Sequence, residues 1–268
     1  MQIKNRLQKL SGLFENADYG AMLFTTPSNL YYFSGFRTSI YTRFNALLVL
    51  PDGATVLITS YIDEQLVKQK ICGPIEADEV RIHGPIQRSD VFQNHLDTLE
   101  PELSKINTLA VDDLSLSRFN ELKNKFQHLK IIEISENLNS LRMIKEIEEI
   151  DKIRSANGIA VNCMEKARNL LSTKGISESE LAAELEYLAR KQGADGFGYP
   201  VLISAGDRID APHALPQQRR FSCSRQEASK DFSARAACKV LRPRLSKNPP
   251  KRGKTSQVRR VMSGFQKP

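Results

Sequence analysis

The chain has 268 residues, of which 40% are hydrophobic and 26% charged, a composition that suits one large or two ordinary soluble domains. Its formal charge of +8 is unevenly spread: residues 217–268 hold 15 Lys and Arg against two acids, whereas residues 1–216 hold 24 basic and 29 acidic residues. This distribution excludes a strongly basic folded body, because the excess positive charge lies in the last part of the chain.

The chain contains no stretch of the roughly 18 apolar residues that a membrane-spanning helix needs, so we expect no membrane partner. The N-terminal sequence MQIKNRLQKLSGLF has apolar residues at helical spacing. It lacks the continuous apolar run and the cleavage site of a signal peptide. It predicts an amphipathic helix and a cytoplasmic protein. Four cysteines without metal-binding spacing are predicted to be reduced thiols: Cys72, Cys163, Cys223 and Cys238.

The next elements are predicted to be strands and turns. GAMLFTT (20–26) is a short apolar run that predicts a buried strand, and the Pro-Ser-Asn cluster of TPSNL (26–30) predicts a turn. The sequence ALLVLPDGATVLITS (46–60) predicts two strands joined by a hairpin turn at Asp52-Gly53.

Helical and strand patterns alternate from residue 61 to residue 135. Helices are predicted at 61–70, 89–104 and 115–126, and strands at 79–84, 106–113 and 129–135. This alternation predicts an α/β domain over 1–140, with a mixed sheet that is mostly parallel and includes one hairpin.

Few residues of this first domain suggest catalysis. His83, His95 and His128 are scattered, the last two within helical patterns, and each is interpreted as a surface or hydrogen-bonded histidine rather than a ligand. The aromatic stretch NLYYFSGF (29–36) is interpreted as core packing or as a subunit contact.

The pattern changes at residue 141. LRMIKEIEEIDKIRSANGIAVNCMEKARNLL (141–171) predicts one long amphipathic helix, or two, which Lys174 and Gly175 would end. Ser177 and Glu180 form the signature of a capping box, so a second helix is predicted to follow and to close at Gly193.

After this helix, FGYPVLISAG (197–206) is predicted to be a strand. DRIDAPHALP (207–216) is predicted to be the loop beyond it, with His213 between two prolines.

Four stretches in this order resemble the creatinase/Xaa-Pro peptidase family, the pita-bread metallopeptidases that include prolidase and aminopeptidase P. They are NLYYFSGF, LRMIKEIEEIDKIRSA, GISESELAAELEYLARKQGADGFGYPVLISAG and APHALP. The resemblance implies a creatinase-type N-terminal domain over 1–140 and the N-terminal part of an α+β pita-bread domain over 141–216. It covers about residues 1–216.

The resemblance also implies a chemistry. Members of the family hydrolyse the bond between a residue and a following proline, using two divalent cations, manganese or cobalt, held by two Asp, one His and two Glu. His213 would be the catalytic histidine that contacts the substrate or the tetrahedral intermediate, and it is not a metal ligand in that scheme. An imidazole can donate a hydrogen bond to a developing oxyanion while the metals acidify a bridging water.

The sequence departs from the family pattern after Pro216. His213 is the last histidine, and only Glu227 and Asp231 supply carboxylates beyond it. KDFSAR (230–235) weakly resembles the strand that carries the family's first aspartate ligand. We therefore predict that the pita-bread domain is truncated, that no metal binds to this chain, and that 217–268 is a basic, disordered tail. A shifted reading frame or a truncated gene would explain such an abrupt change of composition.

Two functional hypotheses follow. One is an Xaa-Pro peptidase-like protein, inactive because its metal ligands are missing, whose lineage acts on proline-containing peptides. The alternative is a non-catalytic interaction or oligomerisation module, a homodimer through the N-terminal domain being one form, with a basic arm that binds nucleic acid. The tail 217–268 is thus either a non-native extension, such as a shifted reading frame would produce, or a nucleic-acid-binding arm. The non-native extension is favoured.

Overall fold

The computed structural model describes residues 2–37, 44–69, 75–83, 91–171, 175–205, 208, 210–211 and 213–220, with the backbone alone for 2 and 91–95. The chain divides into two compact units, Met1–Ile144 and Lys145–Pro268. In the part of the chain that the structure describes, no helix is both long and apolar enough to cross a membrane.

The first unit contains helices that alternate with the strands of a sheet. Its helices are α1 (Gln2–Asn16), α2 (Pro27–Ser34), α3 (Glu64–Lys68), α4 (Val91–Leu103), α5 (Leu116–Lys125) and α6 (Ser135–Met143). Its strands are β1 (Ala21–Phe24), β2 (Ala46–Val49), β3 (Thr55–Ser60), β4 (Glu79–His83), β5 (Thr108–Val111) and β6 (Lys130–Glu133). A short 3-10 turn, Tyr61–Asp63, precedes α3.

The six strands form one mixed sheet in the order β4-β3-β2-β1-β5-β6. The strand β2 pairs antiparallel with β1 and with β3, whereas the β3–β4, β1–β5 and β5–β6 pairs are parallel. Gly53 has a φ of 86° at the β2–β3 turn, a conformation that glycine adopts without steric cost. The predicted mixed α/β sheet with one hairpin is thus confirmed.

Two apolar clusters cover the two faces of the sheet, because successive strand residues point to opposite sides. Met22 and Phe24 of β1 contribute to the cluster that contains α2 residues, and Leu23 contributes to the cluster that contains residues of α4 and α5. Half of the aromatic stretch 29–36 lies in the first of these clusters: Leu30, Tyr32, Phe33 and Phe36. Phe33 is fully buried, stacks on Phe24 at a centroid distance of 4.8 Å, and supports the core-packing interpretation.

Several details of the first unit differ from the sequence prediction. TPSNL does not form a turn: Thr26 is the N-cap of α2 and Pro27 occupies its first turn, where a proline costs no hydrogen bond. His128 lies in the turn after α5, where its Nε2 is 3.3 Å from the carbonyl oxygen of Leu103. His83 is buried at the end of β4.

The side chain of Asp112 holds the start of α2 against the sheet. This carboxylate is fully buried after β5, and both of its oxygens accept hydrogen bonds. The donors are Thr25 N and Oγ1, Thr26 N and Oγ1, Asn29 Nδ2 and the amide of Asp113. Because β1 and β5 are parallel neighbours, the residues that follow them meet at one edge of the sheet.

The described part of the second unit contains two helices, α7 (Ile147–Leu171) and α8 (Glu178–Lys191). The break between α6 and α7 falls at 144–146, so LRM of the predicted long helix belongs to α6. The C-terminal half of α7 packs against α8 through buried Cys163, Ala167 and Leu185, whereas Ile147 is 75% exposed in the N-terminal half of α7. Burial raises the pKa of the Cys163 thiol, which keeps it protonated.

One strand predicted for the second unit is not found there. Of the predicted strand 197–206, the described residues 197–205 have no regular secondary structure, although Val201 and Ile203 are buried against α7 and α8. The apolar pattern correctly indicated burial, but a strand also needs a hydrogen-bonding partner, and this segment instead donates through Ala205 N to a side chain.

Several predictions fall outside the described residues. They concern the tail from 221 onward with Glu227, Asp231 and KDFSAR, the cysteines Cys72, Cys223 and Cys238, the side chain of His95, and Lys174. The predicted domain limits 1–140, 141–216 and 217–268 stay predictions.

Candidate functional site

The loop that carries His213 is the candidate site, because it holds the one residue for which the sequence implied a catalytic role. His213 is exposed and lies in a turn. Backbone hydrogen bonds shape this turn: the amide of Ala211 donates to the carbonyl oxygen of Arg208 at 2.9 Å, and the amide of Ala214 donates to that of Ala211 at 3.1 Å. The imidazole is therefore accessible on a locally folded loop.

The start of α8, whose first residue binds this loop, carries a capping box. Ser177 Oγ accepts a hydrogen bond from Glu180 N at 3.2 Å, and Glu180 Oε2 accepts one from Ser177 N at 2.7 Å. The bond from the Ser177 amide holds the pKa of Glu180 below its usual range, assisted by the Ser177 side chain and by the charge of Arg220. The predicted capping box is confirmed.

Glu178, the first residue of α8, is fully buried and binds the loop with both carboxylate oxygens. Oε1 accepts a hydrogen bond from Ala205 N at 2.8 Å. Oε2 accepts one from Arg208 Nη1 at 2.5 Å and one from Gln217 N at 3.0 Å. The three donors, one of them a cation, compensate the desolvation that a buried carboxylate would otherwise suffer.

Arg208 links this carboxylate to the segment that follows His213. Its guanidinium also donates from Nη2 to the carbonyl oxygen of Leu215 at 2.9 Å. The planar fork of an arginine suits such a double contact because it presents two donor nitrogens, whereas a lysine has one.

Sequence reasoning missed Glu178 and Arg208. An acidic residue in the first turn of a helix normally interacts with the helix dipole from the surface, so neither spacing nor charge indicated that Glu178 would be buried. The one available signal was an acid directly after the N-cap, with an arginine in the loop ahead.

The described residues do not fit a dinuclear metal centre. Among them, no group of three or more His, Cys, Asp or Glu side chains lies close enough to hold a metal ion. Glu178 contacts the His213 loop, but its oxygens already accept hydrogen bonds from three donors.

The mixed sheet of the first unit and the matches of two family models define the class of protein. The Creatinase/Prolidase N-terminal domain matches residues 6–144, and Metallopeptidase family M24 matches residues 151–230. The chain therefore belongs to the creatinase/Xaa-Pro peptidase family.

Individual relatives agree with this assignment. An uncharacterized peptidase from Staphylococcus aureus (strain USA300) is 29% identical over 221 residues, which is 81% of this chain and 58% of the relative. An uncharacterized peptidase from Staphylococcus epidermidis is 25% identical over 216 residues, with the same coverage.

Two solved structures are similar in fold. The X-Pro aminopeptidase from Thermotoga maritima superposes with a TM-score of 0.66 and 26% identity, over 80% of this chain and 57% of that one. The prolidase from Pyrococcus furiosus superposes with a TM-score of 0.67 and 25% identity, over 80% and 62%. This chain thus spans somewhat more than half the length of the relatives that it matches.

Proposed function

We propose that this protein is an Xaa-Pro peptidase-like protein that carries the family's substrate-side histidine, His213, and that these 268 residues do not hydrolyse Xaa-Pro bonds by themselves. The observation that carries the proposal is the contrast within the second unit. Hydrogen bonds to Glu178 hold Ala205 and Gln217, which flank His213, whereas the described residues supply no cluster of metal ligands.

The substrate class is proposed from the relatives. The similar structures are an X-Pro aminopeptidase and a prolidase, so a peptide with proline after the scissile bond is the natural ligand to test. An exposed imidazole on a fixed loop could donate a hydrogen bond to such a peptide, which would give the loop a binding role.

The proposed lack of turnover depends on the ligand chemistry. Two divalent cations about 3.5–4 Å apart need several carboxylates to bridge and neutralise them. Beyond His213 the sequence contains Glu227 and Asp231 as its only acids and no further histidine. These residues are too few to hold two cations in the way that metal-dependent hydrolysis would require.

The test is a peptidase assay on the purified 268-residue chain. The chain would be incubated with Mn²⁺ or Co²⁺ and a Gly-Pro dipeptide or an Xaa-Pro-Xaa tripeptide, and the released amino acid would be measured. We expect no release above that of the His213→Ala variant, with a related full-length peptidase as positive control. Metal-dependent turnover that His213→Ala reduces would overturn the inactivity.

The segregation of charge supports a second candidate, a non-catalytic module with a basic arm. Residues 217–268 hold 15 Lys and Arg against two acids. Phosphate contacts would make DNA binding by this arm fall steeply with salt. Salt-sensitive binding of a DNA duplex that disappears when 217–268 is removed would favour this function, and sedimentation of the same samples would reveal a homodimer.

A further inference from the structure

Both ends of the His213 loop are attached to the same buried side chain. The loop begins at Ala205, whose amide donates to Glu178 Oε1, and it ends at Gln217, whose amide donates to Glu178 Oε2. The carboxylate of Glu178 thus connects the two ends of the loop, and each end donates to a different oxygen.

A second, inner closure lies within the first. Arg208 donates from Nη1 to Glu178 and from Nη2 to the carbonyl oxygen of Leu215, so its guanidinium spans the segment 208–215. His213 belongs to this inner segment. The position of the imidazole therefore depends on two sets of contacts, one inside the other, that both include Glu178: those of Ala205 and Gln217, and those of Arg208.

The two ends of the loop are not equally dependent on the Glu178 side chain. At the C-terminal end, the amide of Ser179 also donates to the carbonyl oxygen of Gln217 at 3.0 Å, and the amide of Glu178 donates to that of Arg219 at 2.9 Å. At the N-terminal end, the contact of the Ala205 amide is with the Glu178 carboxylate. Loss of the carboxylate should consequently release the Ala205 side first.

We propose that Glu178 is a positioning residue that holds the loop of His213 in one conformation through its paired contacts with Ala205, Arg208 and Gln217. The imidazole must lie within hydrogen-bonding distance of a substrate to act on it, and a loop closed at both ends limits its displacement. The role of the held histidine rests on the proposed function, whereas the holding itself does not.

The proposal requires both oxygens to accept. Glutamine has the shape of glutamate but only one acceptor oxygen, so a Glu178→Gln variant would turn an amide NH₂ toward either Ala205 N–H or the Arg208 and Gln217 donors. The capping box of Ser177 and Glu180 would remain, which leaves the start of α8 intact.

The experiment compares Glu178→Gln with Glu186→Gln in the full chain, since Glu186 is exposed on the same helix. Amide hydrogen exchange of Ala205 and the ring signal of His213, assigned with His213→Gln, would be followed by NMR. In Glu178→Gln we expect exchange at Ala205 to accelerate about tenfold to a hundredfold, as for the loss of a hydrogen bond to a charged group. The His213 signal should move toward that of a short Ala-Pro-His-Ala-Leu peptide.

The amide of Leu185, within α8, and the ring signals of the histidines in the first unit should not change in either variant. Unchanged exchange at Ala205 and an unchanged His213 signal in Glu178→Gln would contradict the proposal. A general acceleration that includes Leu185 would mean that Glu178 stabilises α8 as a whole, and would also contradict a specific positioning role.

A second variant tests the inner closure without touching α8. Arg208→Lys keeps a cation beside Glu178 but replaces the planar fork by one ammonium nitrogen, which cannot place two separate donor atoms toward Glu178 and Leu215. We expect the His213 signal to shift in the same direction as in Glu178→Gln by a smaller amount, with Ala205 exchange near the wild-type rate. A His213 signal that does not move in Arg208→Lys would count against the nested arrangement.

These measurements are independent of peptide turnover. Turnover in the peptidase assay would refute the proposed inactivity and leave the loop result standing. Conversely, a loop that is equally ordered in Glu178→Gln would refute the positioning role even if the chain proved inactive.

Discussion

Each unit of the molecule contains a buried carboxylate that collects hydrogen bonds from neighbouring backbone, but the surroundings of the two differ. Asp112 lies at the edge of a six-stranded sheet whose two faces are covered by apolar clusters. Glu178 is the first residue of α8, in a unit with one apolar cluster, and it contacts a segment without regular secondary structure. In the first unit, pairing of the parallel strands β1 and β5 already positions the segments that Asp112 connects. In the second, side-chain contacts substitute for strand pairing.

The apolar clusters follow the same contrast. Among the described residues, two clusters of buried apolar side chains lie in the first unit and one lies in the second, where Ile147 and Val161 on α7 are 75% and 54% exposed. An amphipathic helix that leaves part of its apolar face in water gains less from burial. We therefore expect the first unit to be the more stable of the two, and the following experiments test that expectation.

The largest effect should come from the aromatic core of the first unit. Phe33→Ala removes a fully buried ring that stacks on Phe24, and truncation of such a residue costs about 4 kcal/mol of unfolding free energy. Denaturant unfolding, followed through the ring signals of His83 and His128, would measure it. The neighbouring Tyr31 is 40% exposed, so Tyr31→Ala should cost less than about 1 kcal/mol. Equal losses of unfolding free energy for the two variants would mean that Phe33 is not packed in the core.

A smaller loss is expected at the polar network of the first unit. Asp112→Asn keeps the shape but turns one acceptor into a donor against Thr25, Thr26 or Asn29, which should cost about 2–3 kcal/mol in the same unfolding experiment. Asp113 is exposed, and Asp113→Asn should be neutral within about 0.5 kcal/mol. A neutral Asp112→Asn would show that the sheet alone holds α2.

In the second unit, loss of the helix cap should have a local effect. Ser177→Ala removes the acceptor for the amide of Glu180 and should destabilise α8 by about 1 kcal/mol. Amide exchange of Leu185 would report the change, and the first unit should be unaffected. The control Ser155→Ala, at an exposed position of α7, should be neutral or slightly stabilising because alanine favours helices. If Ser177→Ala also changed the His83 and His128 signals, the expectation that the effect is confined to the second unit would be wrong.

Acid should produce the smallest effect, again confined to the second unit. The pKa of Glu180 is lowered in the folded chain, mainly by the hydrogen bond from the Ser177 amide, so its contribution to stability is complete above the unfolded value of 4.5. That contribution is lost as the pH falls through the lower, folded pKa. The Ser177 amide signal should therefore titrate below pH 4.5 in the wild type and not in Glu180→Gln. A midpoint at or above 4.5 would contradict the lowered pKa.

Much of the first unit could be predicted from its sequence because its signals are local. Alternating helical and strand patterns predicted the elements, and Asp-Gly predicted the hairpin turn between β2 and β3. The Pro-Ser-Asn cluster misled, because the same residue types begin helices as well as turns. The helix that begins after Thr26 is supported by the carboxylate of Asp112, which is distant in sequence and accepts a hydrogen bond from Thr26 N.

The second unit shows a different limit. The capping box was predictable because both partners lie within one turn of helix. The strand predicted at 197–206 is wrong for the described residues 197–205, since apolar residues indicate burial equally well for paired and unpaired chain. The candidate site was predictable at His213 alone, by resemblance.

The sequence by itself determined the alternating elements, the charge segregation, the family and the one histidine of the second unit, since each depends on residue types and spacings along the chain. Only the tertiary structure decided that Asp112 and Glu178 are buried and which donors meet them. Hydrogen bonds across long separations depend on how elements pack, and an acidic residue looks alike in sequence whether it faces water or closes a loop.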